Sequence, residues 1–164
     1  MAAGLGIVGI PASLIADSAM HRVLPEAQMV LVGADAVSPR GVFNKTGTAL
    51  LALAARELGV PVYVLCDSCK VLPRLYDPPP ETPRDPHQLL DRDLPHVTVV
   101  NYHFDVTPLD YVSGIVTEDG VLAPAEFRKR FLLDPGTPPE AALAGPGIQD
   151  TAIAALQPRC EHTC

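Results

Sequence analysis

Apolar positions along the chain fall into short unbroken runs separated by longer stretches with helical spacing. Residues 11–15 read as a short strand, followed by a helix to about Leu24 with Asp17 at its N-cap, where a side-chain oxygen can take a free amide. Residues 28–32 are almost continuously apolar, the pattern of a strand buried on both faces. Small residues and Pro over 33–41 predict a turn. Over 46–58, Leu50, Leu51, Leu53, Ala54 and Leu58 recur at helical spacing, and Gly59 stops the helix. Residues 60–66 form a β-branched strand pattern. This order predicts an α/β fold: a Rossmann-like, mostly parallel sheet with right-handed helical crossovers on its flanks. Such sheets collect ligands at the carboxyl ends of their strands.

After Lys70 the pattern loosens. "DPPPETPRDP" at 77–86 has too many prolines for helix or sheet and reads as a polyproline-like surface loop or flap. Residues 97–100 predict a buried strand and 115–117 a short one. Between them, "NYHFDVTPLDYV" predicts a turn and a brief helix with Pro108 at its first position and Asp105 as its cap. Residues 124–133 predict a last short helix, and the Pro, Gly and Ala content beyond it a loosely structured tail. The expected organisation is one domain over 1–133 and a tail over 134–164, without internal repeats.

With 164 residues, 48% of them hydrophobic, the chain can bury one sizeable core. A formal net charge of −7 opposes binding to a phosphate backbone, so a direct nucleic-acid partner is not expected. No apolar run reaches the roughly 18–20 residues of a membrane span, and no secretory leader pattern opens the sequence, which predicts a soluble cytoplasmic protein without membrane contact. Cys66 and Cys69 form a C-x-x-C, and Cys160 and Cys164 flank His162, so two pairs exist that a zinc ion could bridge. Cys66 ends an apolar strand, where a buried thiol is ordinary, so no metal is expected. His21, His96 and His103 lack neighbours at metal spacing and read as structural or surface imidazoles, and Glu118 reads as a strand-end residue paired locally.

The polar chemistry gathers at one place. Asp35 lies just past the second predicted strand, and Asn44 and Lys45 just before the helix that follows. Thr46, Gly47 and Thr48 at that helix N-terminus can offer amides and a partial positive charge to an anion, Lys45 a full charge and Asn44 a directional amide. A carboxylate beside a bound phosphate, if burial raises its pKa, can exchange a proton with a sugar hydroxyl or carbonyl. The plainer use of the same residues is local: Asp35 and Asn44 hydrogen-bonded to loop amides, Lys45 solvated.

Five segments occur in a shared order: "LIADSAM" at 14–20, "VLVGADAVSPRGVFNKTGT" at 30–48, "VPVYVLCDSCKVLP" at 60–73, "FDVTP" at 104–108 and "GIVTEDGVLAP" at 114–124. They resemble the C-terminal domain of the family that joins the alpha, beta and delta subunits of eukaryotic translation initiation factor two-B with methylthioribose-1-phosphate isomerase and ribose-1,5-bisphosphate isomerase. The resemblance covers about residues 5–126.

The resemblance implies that Asp35 is the acid/base residue and that Asn44 and Lys45 contact a phosphorylated sugar or nucleotide, with no cofactor. It matches Lys70 to the Lys of an E-x-x-K loop found in the initiation-factor subunits and the ribose-bisphosphate enzymes, with Asp67 where Glu is usual. It places the Asp105 turn near the pocket or a dimer edge. It also implies a homodimer or related subunits as partners. The family's N-terminal helical domain and its catalytic Cys belong to a preceding half that these residues do not match. The expectation is therefore either an isomerase-like domain short of its second catalytic group or a non-catalytic subunit or assembly module.

Overall fold

The computed structural model describes residues 2–73, 76 and 78–132. The expected tail over 134–164, and with it Cys160, His162 and Cys164, lies outside the described residues.

Among the described residues seven strands form two sheets: β1 (Val30–Gly33), β2 (Ala36–Ser38), β3 (Gly41–Lys45), β4 (Val62–Leu65), β5 (Phe104–Thr107), β6 (Gly114–Thr117) and β7 (Gly120–Leu122). The larger sheet runs β1-β4-β6-β7, with β1, β4 and β6 parallel and β7 returning antiparallel. The smaller runs β2-β3-β5 and is antiparallel throughout. Four α-helices accompany them among the described residues, besides short 3-10 turns: α1 (Ala2–Ile7), α2 (Met20–Val23), α3 (Thr48–Glu57) and α4 (Pro124–Phe127), the last continuing into a π-helical turn over Arg128–Leu132. The result is a mixed α/β fold with a mostly parallel four-stranded sheet.

The core lies on one face of the large sheet. Ala52 and Ala55 of α3 close on Val30, Val60 and Val62, with Leu24 sealing the edge. Val64, Ile115 and Leu122 pack against Phe127 and Leu132 from the C-terminal helical segment, and against Val37 and Val42 from the inner face of the small sheet. The small residues of α3 let it lie close to the strands. Gly59, at φ 69°, turns the chain from α3 back into β4, as its freedom in the left-handed region permits.

Several sequence expectations change. Residues 11–15 are not a strand: Leu14 and Ile15 are exposed, and no partner strand adjoins them among the described residues, so an apolar run alone could not form a ladder. Asp17 is not a side-chain cap but the first residue of a 3-10 turn that precedes α2. Residues 97–100 also lack strand structure. They follow His96 at φ 61°, and Val97 and Val100 are more than half exposed. The supposed turn over 33–41 opens a hairpin, β2–β3, and the stretch read as turn before Pro108 is strand β5. β1 is buried on one face only: Leu31 is 58% exposed.

Gly41 makes the small sheet possible. At φ 143° it lies against β5 so closely that a Cβ would come within 2.3 Å of the Thr107 carbonyl oxygen. Any side chain there would force β3 and β5 apart.

Candidate functional site around Asp35

β3 is the central strand of the small sheet, and its register sets the site. Ala36 pairs with Phe43, and Phe43 with Val106, yet the Asp35 N–H also donates to the Phe43 carbonyl at 2.9 Å. Two residues, Asp35 and Ala36, therefore face one, the pattern of a β-bulge that re-aims a side chain. Both line a groove of about 530 Å³ on the outer face of the small sheet, floored by Phe43, Phe104 and Val106 and walled by Pro78–Pro80. Asp35 is exposed there, and its carboxylate makes no hydrogen bond among the described residues.

The Asn44-Lys45 pair divides. Successive side chains on a strand point to opposite faces, so Lys45 shares the groove-side face with Phe43, while Asn44 points toward α3. The Asn44 amide donates to the Thr48 hydroxyl at 3.0 Å, and that hydroxyl donates to the Lys45 carbonyl at 2.7 Å. Thr46 is tied to the loop before β5 through its N–H to the His103 carbonyl, 2.8 Å, and its hydroxyl to the Tyr102 carbonyl, 3.0 Å. Lys45 is exposed and has no side-chain partner among the described residues.

Asp105 does something that local reading missed. It does not cap the 3-10 turn at Leu109–Tyr111, which has no side-chain cap. Its carboxylate instead accepts from the Gly47 N–H at 2.7 Å and the Ala49 N–H at 3.2 Å, sitting on the N-terminus of α3. Of the Thr46, Gly47 and Thr48 amides expected from sequence to hold an anion, that of Gly47 is met by Asp105 and that of Thr46 by the His103 carbonyl. A carboxylate of the same chain, placed by the Asn44–Asp105 pairing of β3 and β5, thus already sits on the positive end of α3. Gly47 supports this with φ 105°, a left-handed conformation that aims its N–H at the neighbouring strand. A capping search along the chain looks for Ser, Thr, Asp or Asn just before the helix and finds Gly; the cap comes from 58 residues further on.

Lys70 reaches back from the 3-10 turn after β4, and its ammonium donates to the Ala34 carbonyl at 2.6 Å. It thereby holds the peptide just before the Asp35 bulge. The turn that carries Lys70 is fixed at both ends by carboxylates. Asp67 accepts from the Cys69 N–H at 2.8 Å, and Glu118 from the Ser68 N–H at 3.1 Å. Each carboxyl is held below its ordinary range, Asp67 by its bonds from Cys69 and Glu118 by those from Ser68. The C-x-x-C is split by depth: Cys66 is buried and Cys69 exposed. Burial pushes the Cys66 thiol up to about 11, against the opposing pull of Lys70, so it is protonated and unreactive at neutral pH.

The groove's proline wall is fastened by Glu81. Its carboxylate accepts from the His103 N–H at 3.1 Å and the Phe104 N–H at 2.6 Å, and pairs with Arg84 at 3.1 Å. Desolvation works against its ionisation, but the His103, Arg84 and Phe104 interactions outweigh that and hold its carboxyl low. Arg40, at the β2–β3 turn, donates to the Pro78 carbonyl at 3.0 Å and lies 5.9 Å from the Phe43 ring centroid. The groove is thus an apolar trough with two guanidinium groups and one uncommitted carboxylate at its rim.

Residues 1–124 match the Initiation factor 2 subunit family. The chain belongs to that family. The matched part corresponds to the family's C-terminal domain. Over 124 residues it is 44% identical to a ribose 1,5-bisphosphate isomerase of Haloferax volcanii, covering 71% of this chain and 38% of that protein. It is 39% identical over 127 residues to a putative translation initiation factor eIF-2B subunit 2-like protein of Pyrococcus horikoshii, covering 76% of this chain and 44% of the relative. A solved structure of Pyrococcus horikoshii translation initiation factor eIF-2B superposes with a TM-score of 0.64 at 38% identity, covering 75% of this chain and 43% of the other. 5-Methylthioribose 1-phosphate isomerase of the same organism superposes at 0.66 with 36% identity, covering 76% of this chain and 37% of the other. The chain spans about two fifths of the length of the family relatives it matches. No helix among the described residues is long and apolar enough to cross a membrane.

Proposed function

We propose that the groove beside Asp35 binds a phosphorylated sugar or nucleotide, with Asp35 as its acid/base group and Lys45 as a charge for phosphate. The observation that carries this reading is the contrast between Asp35 and its polar neighbours. Asn44, Thr46, Thr48, Lys70 and Asp105 are all engaged with the fold, whereas Asp35 stands on a bulge at the groove mouth with no side-chain partner among the described residues. Lys45, on the same face of the sheet, supplies positive charge for a phosphoryl group, and the Arg40 guanidinium at the rim, bonded to the Pro78 carbonyl, adds to the local positive potential. Thr46, Gly47, Thr48, Asn44 and Lys70 then shape the site from beneath. Isomerase names among the relatives support a sugar phosphate over other anions.

Turnover is a separate matter. Moving a proton between neighbouring carbons of a sugar takes more than one positioned group, and one free carboxylate is too little. Ligand binding comes first in this reading and isomerisation second. A non-catalytic subunit in assembly with family members is the alternative, and the exposure of Leu31, Leu65 and Val121 among the described residues of the large sheet favours it.

Phosphorus NMR with ribose 1,5-bisphosphate tests the proposal. Line broadening is expected with the parent chain and with Asp35→Asn, weaker broadening with Lys45→Ala, and any ribulose product only with the parent. Sharp, unshifted ligand lines with the parent would defeat the reading.

A further inference from the structure

The peptide that joins Ala34 to Asp35 is held at both of its poles. Its carbonyl accepts from the Lys70 ammonium at 2.6 Å, and its N–H, which is that of Asp35, donates to the Phe43 carbonyl at 2.9 Å. A peptide unit is planar, so fixing its oxygen and its N–H fixes the plane from which the Asp35 side chain departs. The two bonds also reinforce each other, because a cation on the carbonyl polarises the unit and makes its N–H a better donor.

The far side of the bulge is held by the same turn. Val71 forms a parallel bridge with Val37, and the Leu72 N–H donates to the Val37 carbonyl at 2.8 Å. Ala34 and Val37, which flank the bulge, are 3% and 0% exposed, whereas Asp35 between them is exposed. Leu72 goes on to line the groove beside Asp35 and Ala36. The turn is anchored in its turn from the large sheet. Glu118, directly after β6, accepts from the Ser68 N–H, and the Ser68 carbonyl accepts from the Val71 N–H at 3.2 Å. A line of bonds thus runs from Glu118 through Ser68 and Val71 to Val37, and Lys70 branches from it to Ala34.

We infer that Lys70 is a positioning residue for Asp35, aiming its carboxylate through the peptide they share, and that Glu118 acts behind it by seating the turn. This role deepens the reading of Asp35 as the acid/base group of the groove and rests on that reading for its use. The bonds that carry it are nonetheless measurable with no ligand present. A lysine whose task is to touch phosphate would leave the Asp35 peptide undisturbed when removed; a positioning lysine would not.

Amide exchange followed by NMR on the full 164-residue chain, without ligand, makes the test. The amides read are those of Asp35 and Leu72, with Gly47 and Val60 as controls outside the line of bonds. Lys70→Met should speed exchange at Asp35 at least about fivefold while leaving Gly47 and Val60 within about twofold of the parent. Lys70→Arg, which keeps the charge and the donors, should bring Asp35 back to within about twofold. Glu118→Ala should act at Leu72 and Asp35 in the same direction and by less. Unchanged exchange at Asp35 in Lys70→Met would overturn the inference. So would equal acceleration at all four amides, the mark of a general loss of stability. Selective acceleration in a chain that fails to broaden the phosphorus lines of ribose 1,5-bisphosphate would uphold the positioning role and defeat the ligand reading alone.

Discussion

The two sheets divide labour between apolar burial and polar positioning. In the large sheet every inward side chain is apolar, from Val30 to Leu122, and its stability comes from area removed from water. The small sheet buries Val37 and Val42 on one face, floors the groove with Phe43, Phe104 and Val106 on the other, and is placed by polar contacts: Asn44 on Thr48, Asp105 on the α3 N-terminus, and Glu81, from the proline segment, on the start of β5. Asp35, on the bulge beside that sheet, is the carboxylate without such a bond among the described residues, and Lys45 and the buried Thr107 hydroxyl are likewise without a side-chain partner there. Polar groups that are satisfied make a scaffold, and an exposed pair left over, Asp35 and Lys45, marks where chemistry can be done.

Removing apolar area should hit hardest. Phe127, fully buried against the large sheet and with Phe131 4.9 Å from its ring centroid, should cost about 3–5 kcal/mol as Phe127→Ala in urea unfolding. Asp105→Ala, which strips α3 of its borrowed cap, should cost about 1–2 kcal/mol in the same measurement. A loss below about 0.5 kcal/mol would show that water caps the helix as well as Asp105 does.

Acid should act next, and selectively. Glu81 has a folded pKa below its ordinary 4.5, so its contribution to stability is fully present above that value and is lost as pH falls through the lower folded one. The His103 and Phe104 amides should then exchange faster on acidification, and Glu81→Gln should remove that dependence. Asp67 and Glu118 carry the same sign at the turn after β4, so an acid response there is expected too. The smallest effect on stability should be that of Asp35→Asn, within about 0.5 kcal/mol, because nothing in the fold leans on its carboxylate. A larger loss would move Asp35 from the site to the scaffold and erase the contrast between the two sheets.

The same contrast explains what the amino-acid order revealed. β1, α3, β4 and β6 were legible because each is an apolar run or a helical stripe bounded by Gly or Pro, signals that live within a dozen residues. The small sheet was not. β2 is three residues long, β3 contains Asn44 and Lys45, and β5 begins two residues after an exposed Tyr102, so each looks like loop until its partner is known. Conversely, 11–15 and 97–100 have strand composition and no partner strand among the described residues. Asp35, Asn44, Lys45 and Lys70 were marked by sequence, but their separation into one uncommitted carboxylate and a set of supports depends on the bulge at Phe43. The Asp105 cap depends on contact across more than fifty residues. No local pattern encodes either.

Gly114 holds a last consequence. A Cβ at this position in β6 would strike the Tyr63 ring at 2.9 Å, so the ring rests directly against backbone on the face of the large sheet opposite the core. The chain has four tyrosines and no tryptophan. Its near-ultraviolet emission therefore comes from tyrosine without an indole to mask it, and the part of it that Tyr63→Phe removes reports how that ring sits against Gly114, built into the native sequence and needing no label.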